Sequence, residues 1–76
     1  MKICYSKQAL KFLEKQEKSI CSRIKNAIEK LPAGDVKKLA GQPYYRLRVG
    51  DFRILFTRDG YIIEVFKIDN RGQIYK

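Results

Sequence analysis

Residues 44–56 read Tyr-Tyr-Arg-Leu-Arg-Val-Gly-Asp-Phe-Arg-Ile-Leu-Phe, and their alternation permits few folds. Tyr45, Leu47 and Val49 fall at even spacing, as do Phe52, Ile54 and Phe56, with Gly50-Asp51 between the two runs. Side chains on a strand alternate between faces, so each run presents one apolar side. A glycine-containing dipeptide between such runs is a two-residue hairpin turn. Asp59-Gly60 reads as a second such turn. If both turns are tight, counting gives a register. Val49 is expected opposite Phe52, Arg48 opposite Arg53, Leu47 opposite Ile54 and Tyr45 opposite Phe56. Across the second turn, Phe56 is expected opposite Ile63, Ile54 opposite Val65 and Arg53 opposite Phe66.

In this register one face carries Tyr45, Leu47, Val49, Phe52, Ile54, Phe56, Ile63 and Val65. It is apolar throughout and must be covered by helices. The other carries Tyr44, Arg46, Arg48, Arg53, Leu55, Thr57, Ile62, Glu64 and Phe66. A one-residue slip would bury the arginines, so the pattern itself selects the register. Arg48 opposite Arg53 is a like-charge pair that sheets ordinarily avoid. With no evident compensation in the sequence, it marks this face as functional. Glu64, diagonal to Arg53 in this count, is expected to screen it.

Covering helices lie upstream. Lys2–Tyr5 reads as a short first strand, and Ser6 as the N-cap of a helix with Ala9, Leu10, Phe12 and Leu13 on one side. Between Glu17 and Leu31, Ile20, Ile24, Ala27, Ile28 and Leu31 form one helical stripe, which Pro32-Ala33-Gly34 ends. Asp35–Ala40 is expected to add one helical turn. The segment from Ile68 to Lys76 is expected to hold a last short strand with Arg71 and Tyr75 on one face. The fold class expected is α+β: an N-terminal strand, a two-helix hairpin, then an antiparallel meander, forming one sheet with helices on one face. Residues 1–76 are expected to form a single domain.

Lysine and arginine number 17 against 8 acidic residues, a formal charge of +9, which favours nucleic acid or an acidic protein as partner. Five of the six arginines, Arg46, Arg48, Arg53, Arg58 and Arg71, lie in the second half. Arg58, at a turn, reads as solvated. The absence of histidine excludes histidine-based metal sites and histidine-dependent acid–base pairs. Cys4 and Cys21 have no metal-ligand spacing and read as reduced, half-buried hydrophobes. Neither metal nor cofactor is implied. With no signal-like apolar start and no stretch of membrane-spanning length, a cytoplasmic setting is expected.

Arg46, Arg48 and Arg53 on one face suit the non-bridging oxygens of a phosphodiester, held more tightly as charge builds on phosphorus. Phe66 or Tyr44 could stack on a base or on an arginine plane. A tyrosine among cations has a lowered pKa, so Tyr75 is a candidate proton donor to a leaving oxygen.

Lys38-Leu39-Ala40-Gly41, the run from Tyr45 to Phe56, and Arg71 with Ile74-Tyr75 together resemble the RelE/ParE superfamily of bacterial toxins. The order of strand, two helices and strand meander matches as well, so the resemblance spans nearly the whole chain. In the RelE branch it implies a type II toxin–antitoxin toxin that is a metal-independent mRNA endonuclease. Such an enzyme cleaves in the ribosomal A site and inhibits translation, the RNA 2′-hydroxyl attacking the adjacent phosphate. Its partners are the ribosome, mRNA and a cognate acidic antitoxin encoded beside it, with DNA contacted only through the antitoxin complex.

By position, the resemblance gives Arg46 and Arg48 the place of two basic residues, often lysines, on the active face. Arg53 takes that of the arginine assigned to phosphate binding and transition-state stabilisation. Arg71 matches a further phosphate-contacting arginine, and Tyr75 the tyrosine that positions or protonates. Arginine in place of lysine weakens any general base there, because guanidinium hardly deprotonates. Asn70 stands where many relatives carry histidine. Both departures favour charge stabilisation over acid–base chemistry. Two alternatives remain open: a ParE-like inhibitor of DNA gyrase without nuclease activity, and a degenerate toxin that only binds its antitoxin.

Overall fold

The computed structural model describes residues 2–70. In chain order the elements are β1 (Lys2–Tyr5), α1 (Lys7–Glu14), α2 (Lys18–Glu29), β2 (Val36–Lys38), β3 (Tyr45–Val49), β4 (Phe52–Asp59) and β5 (Ile62–Asn70). The strands form one sheet in the order β1-β5-β4-β3-β2. β1 runs parallel to β5 and every other pairing is antiparallel, so the α+β fold has a mixed sheet. Leu47, Ile54, Phe56, Ile63, Val65 and Ile68 pack against Ala9, Leu13, Ile24 and Ile28 of the two helices. This apolar layer stabilises the short helices, since helices of such length are marginal in isolation.

Ser6 caps α1 as expected, its Oγ accepting from the Ala9 amide at 3.1 Å. Leu10, expected on the buried side, is instead 45% exposed. The core-facing residues of α1 are Ala9 and Leu13, four apart. One step along a helix turns about 100°, which carries Leu10 off that line. In α2, Ile24 and Ile28 are buried, with Ile20 and Ala27 packed at their margin.

The helical turn expected over Asp35–Ala40 is not there. Val36–Lys38 forms β2 and pairs antiparallel with β3, Val36 against Leu47, Lys37 against Arg46 and Lys38 against Tyr45. β3 offers an open edge of backbone donors and acceptors, and three residues with a β-branched Val36 facing the core satisfy it. A short edge strand bearing two lysines is also a poor template for further pairing.

The first hairpin has the register counted from the sequence, from Tyr45 opposite Phe56 to Val49 opposite Phe52. Gly50 takes φ +59° and, among the described residues, no non-glycine residue has positive φ, so only the first turn position is left-handed. That is the type II′ arrangement of Gly-Xaa. The second hairpin repeats it: Gly60 also has φ +59°, and Asp59 pairs with Ile62. Its turn is therefore Gly60-Tyr61 rather than Asp59-Gly60, and the expected pairings move by two residues. Phe56 meets Val65, not Ile63. A two-residue shift preserves the faces, which is why the core assignment survives the wrong count.

A β-bulge then changes the register again. Phe56 pairs with Val65 but Leu55 pairs with Lys67, leaving Phe66 as an extra residue on β5. Beyond it Ile54 meets Ile68 and Arg53 meets Asp69. Straight counting would have put Lys67 against Ile54 in the core and Ile68 against Arg53 outside. The extra residue reverses this, and Ile68 is fully buried. Side chains from the start of α1 hold the displaced backbone. Ser6 Oγ donates to the Phe66 carbonyl at 2.8 Å. The Gln8 amide donates to the Ile68 carbonyl and accepts from the Ile68 N–H, both at 3.0 Å. β1 has ended at Tyr5, so Gln8 serves as its continuation along β5.

Candidate nucleic-acid interface

Opposite the helices, the sheet presents an open face whose side chains can be read row by row. One row runs from Asp35 through Arg48 and Arg53 to Asp69. Arg48 and Arg53 are direct partners across β3 and β4, as the sequence count required. Asp69 is the register partner of Arg53 and grips it at two points, Nε to Oδ1 at 3.3 Å and Nη2 to Oδ2 at 3.0 Å. Arg48 Nε lies 3.9 Å from Asp35 Oδ2, with those side chains 47% and 69% exposed. Such an exposed pair contributes little, but the Arg48 amide also donates to the Asp35 carbonyl at 3.0 Å.

The like-charge contact is therefore compensated, contrary to the expectation drawn from the sequence. Each arginine has a carboxylate on its outer side, giving the order minus, plus, plus, minus. Nor is Glu64 the screening partner of Arg53. It pairs in register with Thr57, four positions further along β4. The turn shift and the bulge together move Asp69 into the place that counting assigned to Phe66.

The next row holds Lys37, Arg46, Leu55 and Lys67, connected pairwise across β2, β3, β4 and β5. Leu55 is 9% exposed although it lies outside the core cluster. Its register neighbours Arg46 and Lys67 carry long aliphatic stems that can cover an apolar floor while their charges stay in water. The sequence pattern does not single out Lys37 or Lys67: Lys37 lies in the segment expected to be helical, and Lys67 lies beyond a bulge that flips its face.

Tyr44 and Phe66, expected as stacking residues, are brought together at 5.1 Å with ring planes at 72°. This edge-to-face contact is a favourable packing geometry for two aromatic rings. Both are half-buried at the border of the cationic rows. The structure thus gathers Arg46, Arg48, Arg53, Tyr44 and Phe66 on one face. Arg71 and Tyr75, the remaining expected residues, lie outside the described residues. A groove of about 570 Å³ opens elsewhere, between α2 and β3, and touches this face only where Arg48 and Asp35 reach its rim. No described helix is long and apolar enough to cross a membrane.

This chain is similar over most of its length to known toxins. The family model for the ParE toxin of the type II toxin-antitoxin system parDE matches residues 3–75. No curated protein matches. Among solved structures, the RelB-RelE antitoxin-toxin complex from Methanococcus jannaschii contains a chain with TM-score 0.76 and 31% identity, covering 95% of this chain and 94% of that one. A chain of the archaeal RelE-RelB complex from Pyrococcus horikoshii OT3 gives TM-score 0.75 and 27% identity, covering 95% and 96%. The YoeB-YefM complex from Staphylococcus aureus has the same fold at TM-score 0.72 and 21% identity, covering 91% and 94%. With the sheet, the two covering helices and a family match across nearly every residue, the chain belongs to the ParE toxin family of the RelE/ParE superfamily and is a type II toxin–antitoxin toxin.

Proposed function

We propose that this toxin is a metal-independent, ribosome-dependent mRNA endonuclease, and that its open sheet face is where the message binds. The observation that carries the reading is the placement of Arg46, Arg48 and Arg53 on the face left uncovered by helices. The 31% identity to the chain of the Methanococcus jannaschii RelB-RelE complex supports the RelE side of the superfamily. On this reading Arg53 binds the scissile phosphate in exchange for the Asp69 carboxylate. Guanidinium matches both anions through the same two-point geometry. As the 2′-hydroxyl attacks phosphorus, it gives its proton to water while the bond from phosphorus to the leaving 5′-oxygen breaks. Charge accumulates on the non-bridging oxygens, and Arg53 and Arg48 stabilise it more strongly than in the ground state. Arg46 orients the strand. Arg71 adds a phosphate contact and Tyr75 positions or protonates the leaving oxygen. A cognate acidic antitoxin silences the toxin, as antitoxins accompany the RelE chains of the two archaeal complexes.

Primer extension on message from a cell-free translation system tests this directly. Ribosome-dependent cuts are the expected result, and their absence removes the nuclease reading. The ParE description of the matching family favours one other reading, inhibition of DNA gyrase by binding alone. A gyrase supercoiling assay with the purified toxin decides that case.

A further inference from the structure

Charge on the open face is unevenly matched. The row of Arg48 and Arg53 has Asp35 and Asp69 at its ends. The row of Lys37, Arg46 and Lys67 contains no acidic residue, and among the described residues none of these three makes an ion pair. We propose that Lys37, Arg46 and Lys67 form a second anion subsite, which takes the phosphodiester backbone of single-stranded RNA beside Arg53. This proposal rests on the nucleic-acid reading of the face given above.

Three features specify the ligand. First, neighbouring strands lie about 4.8 Å apart and like-facing residues on a strand about 6.6 Å apart. The three cations therefore span about 14 Å across the sheet, one pleat away from Arg53. A backbone leaving the Arg53 site enters this row at once. Second, the floor between Arg46 and Lys67 is the apolar Leu55, and the Tyr44–Phe66 pair borders it. Cations flanking an apolar and aromatic surface suit a strand with phosphates on one side and bases on the other. Third, β3, β4 and β5 are each paired on both sides. An extended acidic peptide laid there would find no free backbone partners in the middle of the face, whereas phosphates need only the cations.

The bulge makes the subsite. In an unbulged register Phe66 would pair with Leu55, and Lys67 would point into the core and be lost from the row. Bulges that re-aim side chains are common beside functional sites.

The test titrates a fluorescein-labelled single-stranded oligoribonucleotide against the full chain over a range of salt concentrations. Each phosphate contact on a single strand contributes about 0.7 to the slope of log affinity against log salt. The K37A/K67A variant should therefore lower that slope by about 1.4 and weaken binding to all sequences alike. K37R/K67R should keep the wild-type slope. Thermal melting verifies that both variants fold; both sites are exposed. An unchanged slope in folded K37A/K67A overturns the subsite, as does a wild-type chain that fails to bind the oligoribonucleotide at low salt. Polyglutamate binding as tightly, with the same loss in K37A/K67A, would reassign the row to an acidic protein and overturn it too. Message cleavage is scored separately: a toxin that shows the slope change but does not cut loses the nuclease reading and keeps the subsite.

Discussion

Asp69 holds Arg53 by a two-point ion pair, with contacts of 3.0 Å and 3.3 Å, on the face where an incoming phosphate would lie. The side chains are 34% and 21% exposed for Arg53 and Asp69 respectively, so the pair is neither buried nor free in water. A carboxylate in this position competes with a phosphodiester for the same guanidinium donors. Asp69→Asn removes the competing charge while keeping the shape. Its expected effect is tighter binding of a single-stranded oligoribonucleotide by about three- to tenfold, up to about 1.4 kcal/mol. Fold stability should change by less than about 1 kcal/mol, as for a partly exposed pair. Weaker RNA binding by a folded Asp69→Asn protein would show that the carboxylate orients Arg53 for the ligand rather than competing with it.

Arg53 sits at the centre of the cations, facing Arg48 on one side and Asp69 on the other. Arg53→Ala should lower the single-turnover cleavage rate by about 100-fold or more, in the range found for removal of one preorganised donor. RNA affinity should fall by no more than about tenfold, because the other cations still hold the backbone. Equal losses in rate and affinity would mean that Arg53 only binds. Asp69→Asn provides the comparison, since it alters the same ion pair and leaves the guanidinium in place.

Gln8 fixes the far end of β5 through both backbone polar groups of the buried Ile68. Gln8→Ala removes a donor and an acceptor together and leaves two backbone groups without partners. The expected cost is about 1–3 kcal/mol. Ser6→Ala loses the helix cap and the bond to the Phe66 carbonyl, and should cost about 1–2 kcal/mol. Urea unfolding measures both. The two residues brace one bulge, so their losses should be less than additive in the double variant.

The first hairpin was legible because its turn and its alternation agree: Gly50 is the first turn residue and apolar positions flank it at even spacing. Parity alone then placed Arg46, Arg48 and Arg53 on one face. In the second hairpin the same Gly-Xaa turn is preceded by Asp59, and the dipeptide Asp59-Gly60 imitates a different turn type. The bulge did leave a mark. Val65 and Ile68 are three apart and both pack into the one core, which a regular strand of period two cannot achieve. The partners of the arginines stayed hidden, because the identity of a cross-strand neighbour depends on register, and one extra residue changes every partner beyond it. Lys37 was hidden for another reason: three residues carry too little pattern to oppose a helical reading, and only the open edge of β3 makes them a strand.

Gly50 combines a left-handed backbone with a close neighbour. Its φ is +59°, and a Cβ there would meet the Arg23 guanidinium from α2. Gly50→Ala should destabilise the fold by about 1–2 kcal/mol, the cost of left-handed backbone for an L-residue. The guanidinium is the far end of a flexible side chain and can move aside. Arg23→Ala combined with Gly50→Ala should therefore recover little of the loss in thermal unfolding. Near-complete recovery would assign the cost to the contact instead of to the backbone.

Tyr5 at the end of β1 supplies a pH dependence whose sign can be worked out. Burial holds its hydroxyl pKa above the ordinary 10.0, and the negative charges of Glu29 and Cys21 act in the same direction. The folded chain therefore keeps this proton at a pH where the unfolded chain has begun to release it. Where the unfolded state binds fewer protons, stability falls as pH rises. The contribution is fully present below pH 10 and is lost as pH climbs from there through the raised folded value. Tyr5→Phe removes the titrating group while keeping the ring in place. The difference in unfolding free energy between wild type and Tyr5→Phe should be flat at neutral pH and shift against the wild type above about pH 10. A difference that stays constant up to pH 11 would show that Tyr5 titrates alike in both states, with no linkage to folding.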